Sequence, residues 1–260
     1  QVVVDSRGGA SGRIGTELAA KSPPDGYTLV LGNVAPLAIL PGSGLKLAYD
    51  PVRDFSPVSL IATSDYVLTV HPSLPATSVK QLIALAKAKP GELTYASSGI
   101  LGGPHLAGEL INLLASVKLV HIPYKGNGPA AIAIMTGEAT MMFGSGPSIV
   151  PHTKTGKLRA LATTGRKRSM QELPAMNELL PGYEVTQWYG ILAPAGTPRE
   201  IIDRLHREIA RAVANPKVAQ LFTNLGTDPL TNTPDEFLAF IRSEADKWGK
   251  VIRAANIKAE

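Results

Sequence analysis

Cysteine is absent from the 260 residues of this chain, which removes disulfides, thiolate metal sites and cysteine nucleophiles together. That absence is compatible with an oxidising compartment. Aromatic residues make up only 5%, and none is interleaved with the densest basic cluster, Arg166-Lys167-Arg168. No nucleic-acid partner is therefore expected, and a solvated loop is the better explanation of the cluster. No apolar run approaches the roughly 20 residues needed to span a bilayer, because Gly, Pro, Thr, Glu or Lys interrupts each candidate. A secretory signal peptide is missing too, and the chain opens on the apolar run Val2-Val3-Val4 without an initiator Met, so we expect upstream sequence.

What the chain does contain is the composition of a folded protein, with 44% hydrophobic and 18% charged residues and a net charge of +5. A length of 260 residues exceeds the usual domain of about 100 to 150 residues and predicts two lobes. Strand and helix signals alternate, the pattern of an α/β protein. Strands are expected at Val2–Val4, Tyr27–Leu31, Leu93–Ala96, Val117–Ile122, Met141–Phe143 and Leu158–Thr163. Helices are expected at Gly15–Lys21, at Ser78–Lys89 behind the box Ser78-x-x-Gln81, after Pro104, and at Ala130–Thr136. The helix after Pro104 carries Leu106, Leu110, Leu113 and Leu114 on one face. Two long extended segments, Ser59–Val70 and Tyr183–Ala193, match in length and polarity and read as strands crossing between lobes. Thr197-Pro198-Arg199-Glu200 and Thr233-Pro234-Asp235-Glu236 are capping boxes for two final helices. Their stripes are Ile201, Leu205, Ile209, Val213 and Phe237, Ile241, Trp248, Val251, Ile252.

The stretch Leu93 to Gly126 carries the most chemistry. A strand runs into the small-residue turn Ser97-Ser98-Gly99, and a helix begins at Pro104. Gly99, Gly102 and Gly103 let backbone N–H groups approach an anion, Ser97 and Ser98 offer hydroxyls, and the helix dipole favours negative charge without an Arg clamp. The other reading is an ordinary strand-to-helix turn, in which small residues are common.

Several blocks together resemble the tripartite tricarboxylate transporter substrate-binding proteins, the Bug or TctC family. They are Arg7-Gly8-Gly9-Ala10-Ser11-Gly12-Arg13-Ile14-Gly15, Pro24-Asp25-Gly26-Tyr27-Thr28-Leu29, Tyr49-Asp50-Pro51 with Asp54-Phe55, Ala96-Ser97-Ser98-Gly99 with His105-Leu106-Ala107-Gly108-Glu109, His121-Ile122-Pro123-Tyr124-Lys125-Gly126, Gly156-Lys157-Leu158-Arg159-Ala160-Leu161-Ala162, Trp188-Tyr189-Gly190 and Ala193-Pro194-Ala195-Gly196-Thr197-Pro198. Their order and spacing are specific where no single block is. The resemblance implies an α/β, two-lobed periplasmic binding fold of type II, with mixed sheets and two crossing strands at a hinge. Residues 1–64 and 191–260 would form lobe one and 65–190 lobe two. It also implies a periplasmic, monomeric solute receptor, not an enzyme and with no cofactor or metal, that grips a small organic carboxylate in the cleft and passes it to membrane transporter subunits.

Ligand contacts are then expected from Ser97, Ser98, Gly99, Gly102, Gly103, Pro104 and His105. Lys125 is a further candidate, although a Lys beside Gly126 is usually solvated. His105 has no second His at ligand spacing, so packing or capping is its simpler role. Trp188 and Tyr189 floor a cleft or fill a core, and Asn33, Val34 and Ala35 follow a strand whose carboxyl end should face the ligand.

Two departures from the family pattern matter. The family's first strand, loop and helix, which supply lobe one's carboxylate contacts, have no counterpart before Val2. Ala133, Thr140 and Gly144 stand where the family carries acidic residues, which would enlarge or neutralise the cleft floor and points to a ligand without an amino group. Rival readings are weaker. Gly9-x-x-Gly12-x-x-Gly15 has the wrong spacing for a dinucleotide finger, and Ser98 with His105 lacks a nucleophile elbow and an acid to support the His. A relative that has lost transport and acts as a sensor or interaction protein is the remaining alternative.

Overall fold

A computed structural model describes residues 2–254 and 257. In chain order, a 3-10 turn at Ala10–Gly12 leads into α1 (Arg13–Ala20), followed by β1 (Val30–Asn33), a π-helical turn at Ala35–Ile39, α2 (Leu40–Gly42) and the long β2 (Phe55–Val70). Next come α3 (Val79–Ala88), β3 (Thr94–Ser97), α4 (Gly103–Ala115), β4 (Val120–Pro123), α5 (Asn127–Met135), β5 (Met141–Ser145) and α6 (Gly146–Lys154). The chain continues with β6 (Arg159–Thr163), α7 (Met176–Leu179), β7 (Thr186–Pro194), α8 (Arg199–Val213), α9 (Pro216–Asn224), β8 (Asp228–Pro229) and α10 (Pro234–Ala254).

The chain divides into two compact units, one of Gln1–Ala62, Trp188–Gln220 and Pro229–Glu260, the other of Thr63–Gln187 and Leu221–Asp228. The divisions fall inside β2 and β7. Residues 221–228 thus belong to the second unit, whereas the sequence reading placed them in lobe one. The reason is packing at Gly146, where an added Cβ would lie 2.1 Å from the Leu225 carbonyl oxygen.

In the first unit β1 pairs antiparallel with β7, Val30 opposite Leu192 and Asn33 opposite Tyr189, and β7 neighbours β2. Helix α10 starts on a true capping box. Thr233 N donates to Glu236 Oε2 at 2.8 Å and Glu236 N donates to Thr233 Oγ1 at 3.3 Å, which satisfies two first-turn donors. Its periodic apolar face then buries Phe237, Ile241, Trp248 and Ile252. Gly42 and Gly249 let α2 and α10 touch backbone to backbone, since a Cβ on Gly42 would lie 2.5 Å from the Ala245 carbonyl oxygen.

In the second unit the strand order is β6-β2-β5-β3-β4, with β5 and β6 antiparallel to β2. Strand β3 runs parallel to both β5 and β4, so the carboxyl ends of β5, β3 and β4 share one edge. Crossover helix α5 buries its apolar face on this sheet, in a core that includes Val67, Ala96, Ala130, Ile134, Met142 and Ile149, and α4 packs on β3 and β5. Helix α3 begins as expected, with Ser78 Oγ accepting the Gln81 amide at 3.2 Å.

Several local expectations are corrected. Val2–Val4 forms no strand, and its side chains are 84 to 90% exposed; among the described residues no neighbouring strand takes its N–H groups, and an unpaired strand has no ladder to hold it. Thr197 is not a cap: its hydroxyl donates to the Pro194 carbonyl at 2.8 Å, and α8 starts behind Pro198 without a side-chain cap. On α4 the buried face runs through Leu106, Ala107, Ile111 and Ala115, while Leu113 is 50% exposed. Helix α6 was not anticipated. Pro147 and Pro151 suppress its signal, yet Pro147 occupies the first turn, where its missing N–H costs nothing.

Candidate functional site

Three helices of the second unit start at the shared edge of parallel strands. The turn Ser97–Gly102 joins β3 to α4, Tyr124–Gly126 joins β4 to α5, and β5 runs directly into α6 at Ser145-Gly146. Each helix has its first-turn N–H groups free of intrahelical acceptors. The strands alternate with helices over dozens of residues, and only the parallel pairing of β3 with β4 and β5 brings the three starts together.

Cross-links tie the turns into one surface. Tyr124 N donates to the Ser97 carbonyl at 2.9 Å. Asn127 Nδ2 donates to Ser145 Oγ at 3.4 Å, and Ser145 Oγ lies 3.2 Å from Ser148 Oγ. Asn127 Oδ1 is buried with no hydrogen-bond partner. Gly126 sits at φ 118° with open space where a side chain would be, a conformation that only glycine adopts without strain. Ser98 and Gly99 are half-buried, Lys125, Gly128 and Pro147 are exposed, and no Asp or Glu stands in any of the three turns.

That arrangement suits an anion. A helix start carries roughly half a positive elementary charge, and an anion there gains about 0.3–1 kcal/mol per helix. Hydrogen bonds from N–H to a charged acceptor contribute about 1.5–3 kcal/mol each. Two or three such bonds and three helix ends together sum to about 4–12 kcal/mol of gross attraction, set against the entropy cost of association. An Arg clamp is not required.

The structure sorts the expected site residues. Ser97 is fully buried, and its hydroxyl is spent inside the turn: it accepts from Gly99 N at 3.1 Å and lies 2.6 Å from His121 Nε2. Ser98 and Gly99 are the accessible members, whereas Gly102, Gly103 and Pro104 are buried at the start of α4. Gly103 packs on Tyr66 so closely that a Cβ would lie 2.1 Å from the phenol oxygen. His105, 7% exposed, accepts the Leu101 amide at Nδ1, 3.0 Å. It does not stand alone: its ring stacks on His121 with centroids 4.0 Å apart. Burial holds both imidazoles down, to a pKa of about 4 each; for His121 the neighbouring His105 lowers it further and Glu109 opposes.

Asn33, Val34, Ala35, Trp188 and Tyr189 belong to the first unit. Val34 is wholly buried and Ala35 nearly so, and the Asn33 side chain accepts the Ala35 amide at 3.0 Å. Trp188 is 1% exposed, with its indole N–H given to Glu244 Oε2 at 3.1 Å; it fills the first unit's core. Tyr189 is half-buried opposite Asn33. The space beside Gly144 is taken by Ile149, whose Cγ2 would lie 2.1 Å from an added Cβ. The glycine therefore admits α6 rather than widening a cleft. Thr140 is spent on Thr94, whose amide it accepts at 3.1 Å. Asn127, Ser145 and Ser148 were missed, and the only local signal was the repeated Gly-Pro or Gly-x-Pro at a helix start.

A model of the tripartite tricarboxylate transporter family receptor matches residues 1–257. The protein BugT of Bordetella pertussis is 37% identical over 261 residues, spanning 99% of this chain and 80% of its own. The structure of R. palustris Rpa4515 with adipate superposes with a TM-score of 0.95 at 34% identity, covering 98% of this chain and 86% of that one. MatC from Rhodopseudomonas palustris with bound malate gives a TM-score of 0.87 at 27% identity, over 94% and 85% of the two chains. These are binding receptors rather than enzymes, and the fold they share is the α/β periplasmic binding fold. With the model matched along nearly its whole length, this chain belongs to the tripartite tricarboxylate transporter receptor family.

Proposed function

We propose that this protein captures a small organic carboxylate in the periplasm and delivers it to the membrane subunits of a tripartite tricarboxylate-type transporter. The observation that carries the reading is the meeting of three helix N-termini at the carboxyl ends of β3, β4 and β5, with no acidic residue in the turns. Relatives of similar fold hold adipate and malate, and both are small carboxylates. The lack of a carboxylate in the turns also disfavours an ammonium group, so malate should bind better than aspartate.

Isothermal titration of adipate, malate, aspartate and the neutral diamide of adipic acid tests this. Saturable binding of at least one dicarboxylate with a Kd in the micromolar range, on the order of −8 kcal/mol, and no binding of the diamide are the expected results. A folded protein that binds none of the acids would sink the proposal and favour a sensor or interaction role. Delivery is tested separately, by uptake of the bound acid in cells carrying or lacking the gene.

A further inference from the structure

We propose that His105 and His121 are positioning residues, a stacked neutral pair that clamps the two ends of the Ser97–Leu101 turn and so sets its spacing for a carboxylate. The inference rests on the carboxylate reading above and adds to it residues that need not touch the ligand.

The clamp is built from two elements. His121 stands on β4 opposite Tyr95 of β3 in the parallel register, and its Nε2 lies 2.6 Å from Ser97 Oγ, a hydrogen bond whose donor is set by the imidazole tautomer. His105, in the first turn of α4, accepts the Leu101 amide at Nδ1, 3.0 Å. That contact fixes its tautomer, since an accepting Nδ1 leaves the ring proton on Nε2. The imidazole planes lie 15° apart with centroids at 4.0 Å, and the Tyr95 ring stacks on His121 at 4.9 Å. One end of the turn is thereby tied to β4 and the other to α4, and the rings hold the two ties at a fixed separation. Leu101 needs such a tie: it is 1% exposed and sits at φ 54°, a left-handed conformation that leucine seldom adopts.

The pair works only when uncharged. A proton on His105 Nδ1 would set an N–H against the Leu101 N–H, and two imidazolium rings at this separation would repel. The titratable groups facing the pair are Tyr95 on β3, whose hydroxyl donates to Glu109 Oε1 at 2.6 Å, and Glu109 itself on α4. Tyr183 lies close enough to Tyr95 to act on it electrostatically. Glu109 alone favours a charged imidazole, and burial outweighs it. The sign follows. Both pKa values drop from 6.5 to about 4 on folding, so the neutral stack is intact above about pH 5 and is lost as pH falls through 4.

The test is adipate and malate titration of the full chain and of H105F, H121F, H105N and H121Q between pH 8 and pH 4. Phenylalanine keeps the stacked ring and removes the hydrogen bond, whereas Asn and Gln restore a group at the Nδ1 and Nε2 positions. We expect H105F and H121F to bind at least tenfold more weakly at pH 7.5, and H105N and H121Q, which keep the tie but not the ring, to recover part of that loss. The wild-type advantage over H121F should shrink towards one at pH 4, a ratio that cancels the titration of the ligand. Equal affinities at pH 7.5, or a ratio that does not change with pH, overturn the proposal. If the wild type binds neither acid, the carboxylate reading has failed, and hydrogen exchange at the Leu101 amide then tests the clamp. Exchange at least tenfold faster in H105F than in wild type and H105N supports it, and equal exchange overturns it.

Discussion

Replacing Gly103 by alanine is expected to weaken carboxylate binding by about ten- to a hundredfold and to lower stability by about 1–3 kcal/mol. The added Cβ would lie 2.1 Å from Tyr66 Oη and 2.7 Å from Cζ, well inside contact distance. Tyr66 cannot move aside. It is 2% exposed, its hydroxyl donates to Gln187 Oε1 at 2.9 Å, and its amide donates to Thr164 Oγ1 at 2.8 Å. The start of α4 must shift instead, by about 1 Å, and an N–H donor displaced that far loses a charged hydrogen bond worth about 1.5–3 kcal/mol. Calorimetric titration with adipate and malate, beside a thermal melt, reads both effects. A Gly103→Ala variant with wild-type affinity and melting temperature would show that the helix start plays no part in the site.

The second large effect is expected in the other unit. Glu244, 6% exposed, accepts the indole N–H of Trp188 at 3.1 Å and of Trp248 at 3.2 Å on a single oxygen, Oε2. Its Oε1 faces Lys247 Nζ at 3.3 Å. One buried carboxylate thus ties β7 to α10. Glu244→Leu removes the acceptor of two buried donors, each costing about 1–3 kcal/mol when left unmade. The total of about 2–6 kcal/mol is a large part of the 5–15 kcal/mol that holds a typical domain. Glu244→Gln keeps one carbonyl for both indoles and should lose less than half as much. The chain has 2 tryptophans, and both donate to this carboxylate, so urea unfolding followed by tryptophan emission reports on the site itself. An unchanged midpoint in Glu244→Leu would mean that the indoles find other partners.

Signals confined to three or four residues were legible before folding. Ser78 caps the Gln81 amide and the box Thr233 to Glu236 forms as spaced, because a cap hydrogen bond needs only the local chain. The Gln81 side chain accepts from the Thr77 amide instead of that of Ser78. Thr197 shows the limit of the same rule: its hydroxyl finds the Pro194 carbonyl behind it instead of the helix ahead. Leu113 and Leu114 fit a helical stripe, yet the sheet takes the face of Leu106 and Ile111, since tertiary packing decides which of two apolar stripes is covered. For Trp188 the sequence favours filling a core over flooring a cleft, and the Glu244 carboxylate, 56 residues away, takes its indole N–H inside the core.

The alternation of strands and helices, the α/β class, the receptor family and the Ser98-Gly99 turn were determined by the sequence alone. Hydrophobic period, Pro and Gly placement and block order are properties of the chain as written. Tertiary structure alone decided that α4, α5 and α6 start side by side, that His121 comes to rest on His105, and that the Ser97 hydroxyl serves the turn rather than a ligand. The physical reason is parallel pairing. It sets register between residues separated by a whole crossover helix, and no local propensity encodes which strand will lie beside β3. The anion turn was readable, but its partners and its clamp were not, because they belong to neighbouring strands.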